Sequence, residues 1–478
     1  MRKRLLIFAP IILGLYLRLR DLSHIIFTYD QGRDAFMAQE ILHGHLKLVG
    51  PPTDFGVLFH GPLHYYVMAA IYFFNKDPRF AVIVFALLNL SALYPLYKLT
   101  KKLFHSSLAA WFLLLIFAIS PELTFDGRYL SNVALVIPTL AWGLYGLFLG
   151  TPSSLIFAAI GFGLAAQAQF FLLSLSLPAF MYLLISRKTI KQILTFIGVY
   201  TLTISSFFLA EIKFHFQGVK AILTFLHDSS PSTANLFTRF YDSIFSLSQR
   251  NLITFIPIIN IFILTLALFL LYRQLRSAFY FLLLFTFSFV ILLPFAGPGV
   301  LFFTIGSLLP LLLLFVSLLK TFPPLGIILC ILLVVSQLPH LAKVPETDYT
   351  YTGSETGMIL SDELNLIDQI YKFPKDITYT SITVPLYINS TWGYLFYWYG
   401  NSRYGFVPPY HGNNQIGRPG EFDVSYSDNK QKFSAVIVDG RVPQHWREQL
   451  LKKESYYAKY DQTFTYGNFT LLFGPRRN

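Results

Sequence analysis

FTYDQGRDAFMAQEILHGHLKLVGPPTDFGVLFHGPLHYY, from Phe27 to Tyr66, decides how the rest of the chain is read. Asp30, Arg33, Asp34, Glu40, His60 and His64 crowd into it, although only 13% of the 478 residues are charged. Average composition is about 25% charged, and here 54% of residues are hydrophobic, so the chain reads as an integral membrane protein. One apolar segment precedes the stretch and a long series follows it. A polar loop this dense, beside so much lipid-soluble chain, is where chemistry at a membrane surface belongs.

Crossing the hydrocarbon layer takes about 20 mostly apolar residues per helix. Apolar runs near 4–20, 79–98, 106–120, 132–149, 153–168, 170–186, 190–210, 251–272, 277–293, 299–319 and 323–341 predict about eleven spans. The run GPLHYYVMAAIYFFN (61–75) is short for a span, and such lengths suit interfacial or re-entrant helices. Laying it along the outer surface collects the basic clusters on one side, as the positive-inside rule prefers. These are Arg2, Lys3 and Arg4; Lys98, Lys101 and Lys102; Arg187, Lys188 and Lys191; Arg273 and Arg276; and Lys320.

That topology makes the N-terminus cytoplasmic in a multi-pass protein of the cell membrane. It puts the loop 21–78, the loop 120–132, the segment 211–250 and the tail after about 342 outside. The net charge of +12 is then a matter of orientation and not of nucleic-acid binding. Arg18 and Arg20, at the outer end of the first span, run against the rule; snorkelling or contact with a lipid phosphate accounts for them. The basic, apolar N-terminus lacks a small-residue cleavage site and reads as a retained helix. The single Cys330 rules out an intramolecular disulfide and any Cys-based redox or metal site.

Residues 1–341 thus form a transmembrane domain with surface helices in 21–78 and 211–250, and 342–478 a small extracytoplasmic α/β domain. In the tail, ELNLIDQIYKF (363–373) has helical spacing, and TYTSITVP (378–385), KFSAVIVDG (432–440) and FTLLFG (469–474) read as strands. Between them lies TWGYLFYWYGNSRYGFVPPYHG (391–412), dense in aromatics. It reads either as a belt docked on the membrane or as a wall for a sugar or acceptor.

No Gly-rich phosphate loop and no Asp-x-Asp pair occurs, which argues against ATP and against a nucleotide-sugar donor. If DQGRDAFMAQEIL is helical, Asp30 and Asp34 share a face, with Ala35, Met37, Ala38, Ile41 and Leu42 against the membrane. One reading is an ordinary amphipathic interfacial helix. The other gives Asp30 the role of a general base for an acceptor hydroxyl, with Asp34 orienting it or raising its pKa.

The second outer loop adds Glu122, Asp126, Arg128 and Asn132. Arg128 suits phosphate oxygens, or else pairs with Glu122 or Asp126. His60 and His64, at i and i+4, would hold a divalent metal only with a third ligand from elsewhere; His60 as a hydrogen-bond donor to a phosphate is the simpler role. No other cofactor is implied. Gln167 and Gln169 read as interhelical glue or cavity lining. Glu211 and Lys213 pair or reach the site, and Arg239 is a further phosphate partner.

Taken in order, TYDQGRDA (28–35), HGPLHYY (60–66), SPELTFDGRYLSN (120–132), GLAAQAQ (163–169) and AEIKFHF (210–216) resemble the GT-C class of membrane glycosyltransferases. The nearest group holds the protein O-mannosyltransferases and the aminoarabinose transferases of lipid A, a glycosyltransferase family 39-like set. YLFYWYGNSRYGFVP (394–408) looks like bacterial members. The resemblance implies about a dozen helices under an outer domain, a polyprenyl-phosphate-sugar donor and inverting transfer, in protein or lipid glycosylation. By motif it assigns the base to Asp30 and phosphate contacts to His60 and Arg128. Where the family often has Asp-Glu, this chain has Asp30-Gln31, which speaks against a metal in that loop.

The sequence therefore predicts a transferase in which Asp30 deprotonates the acceptor while Arg33, His60 and Arg128 steady the departing phosphate. Its partners are the lipid-linked donor and membrane lipids. The rival is a lipid or sugar transporter without transferase activity, which predicts inverted halves with broken helices; no such matched pair is evident.

Overall fold

The computed structural model describes residues 2–53, 58–228, 235–254, 257–293, 301–343, 357–386, 388–411 and 431–477. The chain opens with α1 (Arg2–Leu19), α2 (Tyr29–Leu42) and α3 (Leu63–Phe74). There follow α4 (Pro78–Phe104), α5 (Ser107–Ile119), α6 (Pro121–Asp126), α7 (Asn132–Leu149), α8 (Pro152–Ala168) and α9 (Phe170–Ile185). α10 (Ile190–Thr203), α11 (Ser205–Lys213), α12 (Gln217–Asp228) and α13 (Leu236–Asn251) lead to α14 (Ile258–Gln274), α15 (Arg276–Leu292), α16 (Thr304–Thr321) and α17 (Pro323–Leu341).

Among the described residues, four helices are long and apolar enough to cross a membrane: α4, α7, α16 and α17. α10 and α11 make a fifth when their 51° bend is taken within one span. The count of eleven is therefore not met. The other six expected segments exist, but as apolar helices of 10–17 residues: α5, α8, α9, α14, α15 and the Phe8–Leu19 part of α1. Apolar composition runs on past points where the backbone stops being helical. Gln169 is extended at φ −138° and ψ 107°, and Phe170–Leu175 continues as a 3₁₀ turn. Ser120 precedes Pro121, whose ring disfavours helix in the residue before it, and α6 starts afresh there.

α7 and α8 cross at very close range. A Cβ on Gly161 would lie 2.6 Å from the Gly143 nitrogen, so a small residue lets the two backbones meet, as in membrane helix pairs generally. Arg18 neither snorkels nor faces a lipid. It is fully buried, and its guanidinium donates to Asn89 Oδ1 at 2.9 Å and to the carbonyls of Gly14, Phe117, Ala118 and Leu123 at 3.2 Å. Arg20 donates to the Lys343 carbonyl.

The tail contains α18 (Leu360–Ile370), β1 (Ile377–Ile382), α19 (Ser390–Leu395), β2 (Phe433–Asp439), α20 (Gln444–Glu454), β3 (Gln462–Tyr466) and β4 (Phe469–Pro475). The sheet order is β1-β2-β4-β3, with β1 and β2 parallel and the other neighbours antiparallel. Three strands and the helix match the periodicities read from sequence. β3 was not expected: QTFTY is a short, largely exposed edge strand in which only Phe464 and Tyr466 alternate with polar residues.

The start of the aromatic segment is packed inside the protein, and its exposed part begins only at Asn401. Trp392, Tyr394 and Phe396 are fully buried, and α19 packs on α2. The tail and the first loop also pair through backbone: Phe27 N donates to Met358 O at 3.2 Å and Leu360 N to Ile25 O at 2.9 Å. One apolar core runs without interruption from the helices into the sheet.

Candidate functional site

α2 starts where Thr28 and Gln31 cap it. Gln31 Oε1 accepts from the Thr28 backbone N–H at 2.8 Å and from its hydroxyl at 2.6 Å, a reciprocal capping arrangement. Gln31 Nε2 donates to the Leu130 carbonyl at 3.1 Å. A carboxylate could not make that last bond, so glutamine next to Asp30 ties the start of α2 to the loop after α6.

One turn of α2 carries the acid cluster. Arg33 Nη1 lies 2.5 Å from Asp30 Oδ1, while its Nη2 and Nε lie 2.7 and 2.8 Å from Asp34 Oδ1. His64, from the first turn of α3, places Nε2 at 3.1 Å from Asp34 Oδ2. The two acids are thus held unequally. Asp34 is enclosed, with 2% of its side chain exposed, whereas Asp30 keeps 32% open.

Burial pushes the Asp30 carboxyl above its ordinary range; Arg33 opposes this, and the charge of Asp34 adds to it. Burial acts on Asp34 too, but Arg33 and His64 outweigh it and hold that carboxyl below the ordinary range. Two neighbouring carboxyls driven apart in this way are suited to different tasks.

His60 is not a helical neighbour of His64, because α3 begins only at Leu63. Its Nδ1 accepts the Phe170 N–H at 3.0 Å. Burial and then the charge of Arg33 lower its pKa to about 3. His60 is therefore neutral, with Nδ1 as acceptor and the proton on Nε2. It can donate that N–H but carries no positive charge. Among the described residues no three His, Cys, Asp or Glu side chains gather as a metal site.

Asp30, Arg33, Asp34 and His60 line a polar cavity of about 350 Å³ with Pro51, Thr53, Tyr129, Ser131, Asn132, Gln169 and Phe171. Asn132 Nδ2 donates to the Ala168 carbonyl at 2.6 Å. Ser131 Oγ and Gln169 Oε1 are buried and meet no hydrogen-bond partner among the described residues. On the other side of His60 lies an apolar cavity of about 720 Å³, between Leu48–Val49, Phe170, Leu173 and the elbow of α11 and α12. Glu211 lines it while accepting the Val219 N–H at 3.2 Å.

Other expected residues stand elsewhere. Arg128 is buried and lines neither cavity. It donates to the carbonyls of Arg18 (3.0 Å), Arg20 and Asp21 (3.1 Å). Carbonyls at a helix C-terminus lack intrahelical partners, and the guanidinium fork satisfies them at the end of α1. The second loop instead delivers Tyr129, Ser131 and Asn132 to the cavity.

Glu122 and Asp126 sit apart, with Asn251 Nδ2 donating to Glu122 Oε2 at 2.7 Å. Burial pushes both carboxyls up, and Asp126 further through Glu122. Gln167 is interhelical glue, donating to the Thr203 carbonyl at 2.9 Å and Ser206 Oγ at 2.7 Å. Arg239 Nη1 donates to the Leu293 carbonyl at 3.0 Å and lines neither cavity. Ala35 and Ala38, expected against the membrane, are instead fully buried within the protein, while Leu42 is exposed. Sequence reasoning missed Thr53, Tyr129 and Ser131: none is charged, and within SPELTFDGRYLSN the charged residues drew attention away from the last two.

Residues 59–210 match the family model described as Dolichyl-phosphate-mannose-protein mannosyltransferase. Among solved structures the chain is similar to ArnT from Cupriavidus metallidurans bound to undecaprenyl phosphate. That likeness has a TM-score of 0.59 at 11% identity, and covers 98% of this chain and 97% of that one. No curated protein matches significantly. The fold shared with that structure extends over 98% of the chain: a mostly helical, multi-pass membrane architecture with a C-terminal domain.

Proposed function

We propose that this protein is a glycosyltransferase that moves a sugar from a polyprenyl-phosphate donor to an acceptor hydroxyl at the extracytoplasmic face, with inversion. The observation that carries the reading is the pair of cavities divided by His60. One is polar and holds a carboxyl suited to accepting a proton; the other is apolar and of a size for a lipid chain. The same fold holds undecaprenyl phosphate in ArnT.

In this reading the lipid lies in the apolar cavity and its phosphate reaches past His60. The acceptor oxygen attacks the anomeric carbon, the bond from that carbon to the phosphate oxygen breaks, and Asp30 takes the hydroxyl proton. His60 Nε2–H donates to the phosphate. Arg33 is the one cationic side chain among the described residues of the polar lining, and its Nη1 is engaged with Asp30. A donor phosphate competes for that N–H. Moving the guanidinium towards the phosphate frees Asp30 and strengthens it as a base, since a carboxylate without its cation binds a proton more tightly. Ser131 and Gln169 supply the hydrogen bonds that a sugar's hydroxyls require.

Purified protein in lipid nanodiscs, given undecaprenyl-phosphate-linked sugars and hydroxyl-bearing acceptors, should release undecaprenyl phosphate as the sugar passes to the acceptor oxygen. Asp30→Asn should abolish release while the protein still inserts and folds. Turnover at the wild-type rate by a folded Asp30→Asn protein refutes the assignment of the base.

A further inference from the structure

The acid helix α2 is held from two sides. α3 supplies His64 to Asp34 from one. The other side is covered by the C-terminal unit. Ser390 Oγ donates to the Tyr29 carbonyl at 2.8 Å. The Ser390 carbonyl lies directly over Gly32: a Cβ there would sit 2.5 Å from its oxygen and 2.7 Å from the Thr391 nitrogen. Such distances leave no room for any side chain at position 32, so the two backbones touch.

Tyr394 extends the contact. Its ring is edge-on to Phe36 at 5.5 Å, stacked with Tyr72 at 5.9 Å and 5.8 Å from Phe27. Its hydroxyl donates to the Lys76 carbonyl at 2.8 Å. Tyr29 and Gly32, the positions clamped by Ser390, alternate along α2 with Asp30 and Arg33. A helix turn moves as a unit, so a shift at Gly32 is a shift at Asp30. Reacting groups need placement to within about 0.5 Å, and a misplacement of about 1 Å costs on the order of a hundredfold in rate.

We propose that Ser390–Tyr394 is a positioning element of the transfer site: by seating on Tyr29, Gly32 and Phe36, the C-terminal unit sets the placement of Asp30 in the polar cavity. The catalytic part of this inference rests on the proposed transferase reading; the mechanical part does not. A C-terminal unit that served only to capture an acceptor would have no need to touch the acid helix through its backbone.

The test uses the full chain in lipid nanodiscs, with undecaprenyl-phosphate-linked sugars as donors, hydroxyl-bearing acceptors, and hydrogen exchange of the α2 amides as a second readout. Gly32→Ala should lower kcat at least tenfold and leave the donor KM within twofold. Tyr394→Ala should do the same and speed exchange across α2. Tyr394→Phe, which keeps the ring and loses only the hydroxyl, should restore most of both. Wild-type kcat and wild-type α2 exchange in Gly32→Ala and Tyr394→Ala overturn the proposal. If Gly32→Ala does not fold, the Tyr394 pair decides. If the wild-type chain transfers none of the sugars tried, the transferase reading fails, and α2 exchange alone decides whether the tail fixes the helix.

Discussion

Replacing Arg33 by methionine removes the one cation between two carboxyls and leaves a side chain of comparable reach. Opposite charges about 4 Å apart attract by about 4 kcal/mol at an effective dielectric of 20. Asp30 keeps 32% of its side chain open, so solvent screening reduces this, and about 2 kcal/mol is a fairer figure. The direction follows from the proton: without the guanidinium the Asp30 carboxylate holds its proton more tightly. The base is then available only at higher pH.

The acid limb of kcat/KM, which reports on the free enzyme, should therefore move to higher pH in Arg33→Met. The plateau should also fall, by roughly 10²–10³, for loss of a charge facing the leaving phosphate. The measurement is a pH series of undecaprenyl phosphate release in nanodiscs between about pH 4 and 9, a range wide enough to hold both limbs. A lowered plateau with an unmoved acid limb would show that Arg33 does not tune Asp30, and the pairing argument would be wrong.

Three further outcomes are expected. Gln31→Glu loses the donor to the Leu130 carbonyl and sets a carboxylate against it; stability should fall by about 1–3 kcal/mol, read as a lower thermal midpoint. His60 stays neutral in the folded protein down to about pH 3, whereas the unfolded chain takes up its proton near 6.5. The unfolded state then binds more protons, so stability falls as pH drops from about 6.5 towards 3, and His60→Gln should flatten that part of the wild-type curve. Arg128→Met strips partners from the carbonyls of Arg18, Arg20 and Asp21; the midpoint should drop, by about 1–3 kcal/mol per buried group left bare. Donor KM should stay near the wild-type value, and a large rise in KM would return Arg128 to the phosphate.

Much of the site was legible because its signals are chemical types in a scarce setting. Asp30, Arg33 and His60 stand out in a chain with little charge, and all line the polar cavity. Arg128 stood out by the same logic and has a different role, since a guanidinium answers carbonyls at a helix end as readily as phosphate oxygens. Sequence does not show which acceptor is nearer. The spans illustrate a second gap. Hydropathy measures how apolar a run is, but a helix ends where backbone geometry ends it, as at Gln169 and Ser120. The tail's aromatic segment was visible as composition alone; that it faces α2 follows from pairing between residues more than 300 positions apart.

The imidazole wall between an oily chamber and a wet one has a consequence for traffic. In the proposed transferase a lipid-linked donor and a hydroxyl acceptor would occupy different chambers, so that neither has to leave for the other to enter.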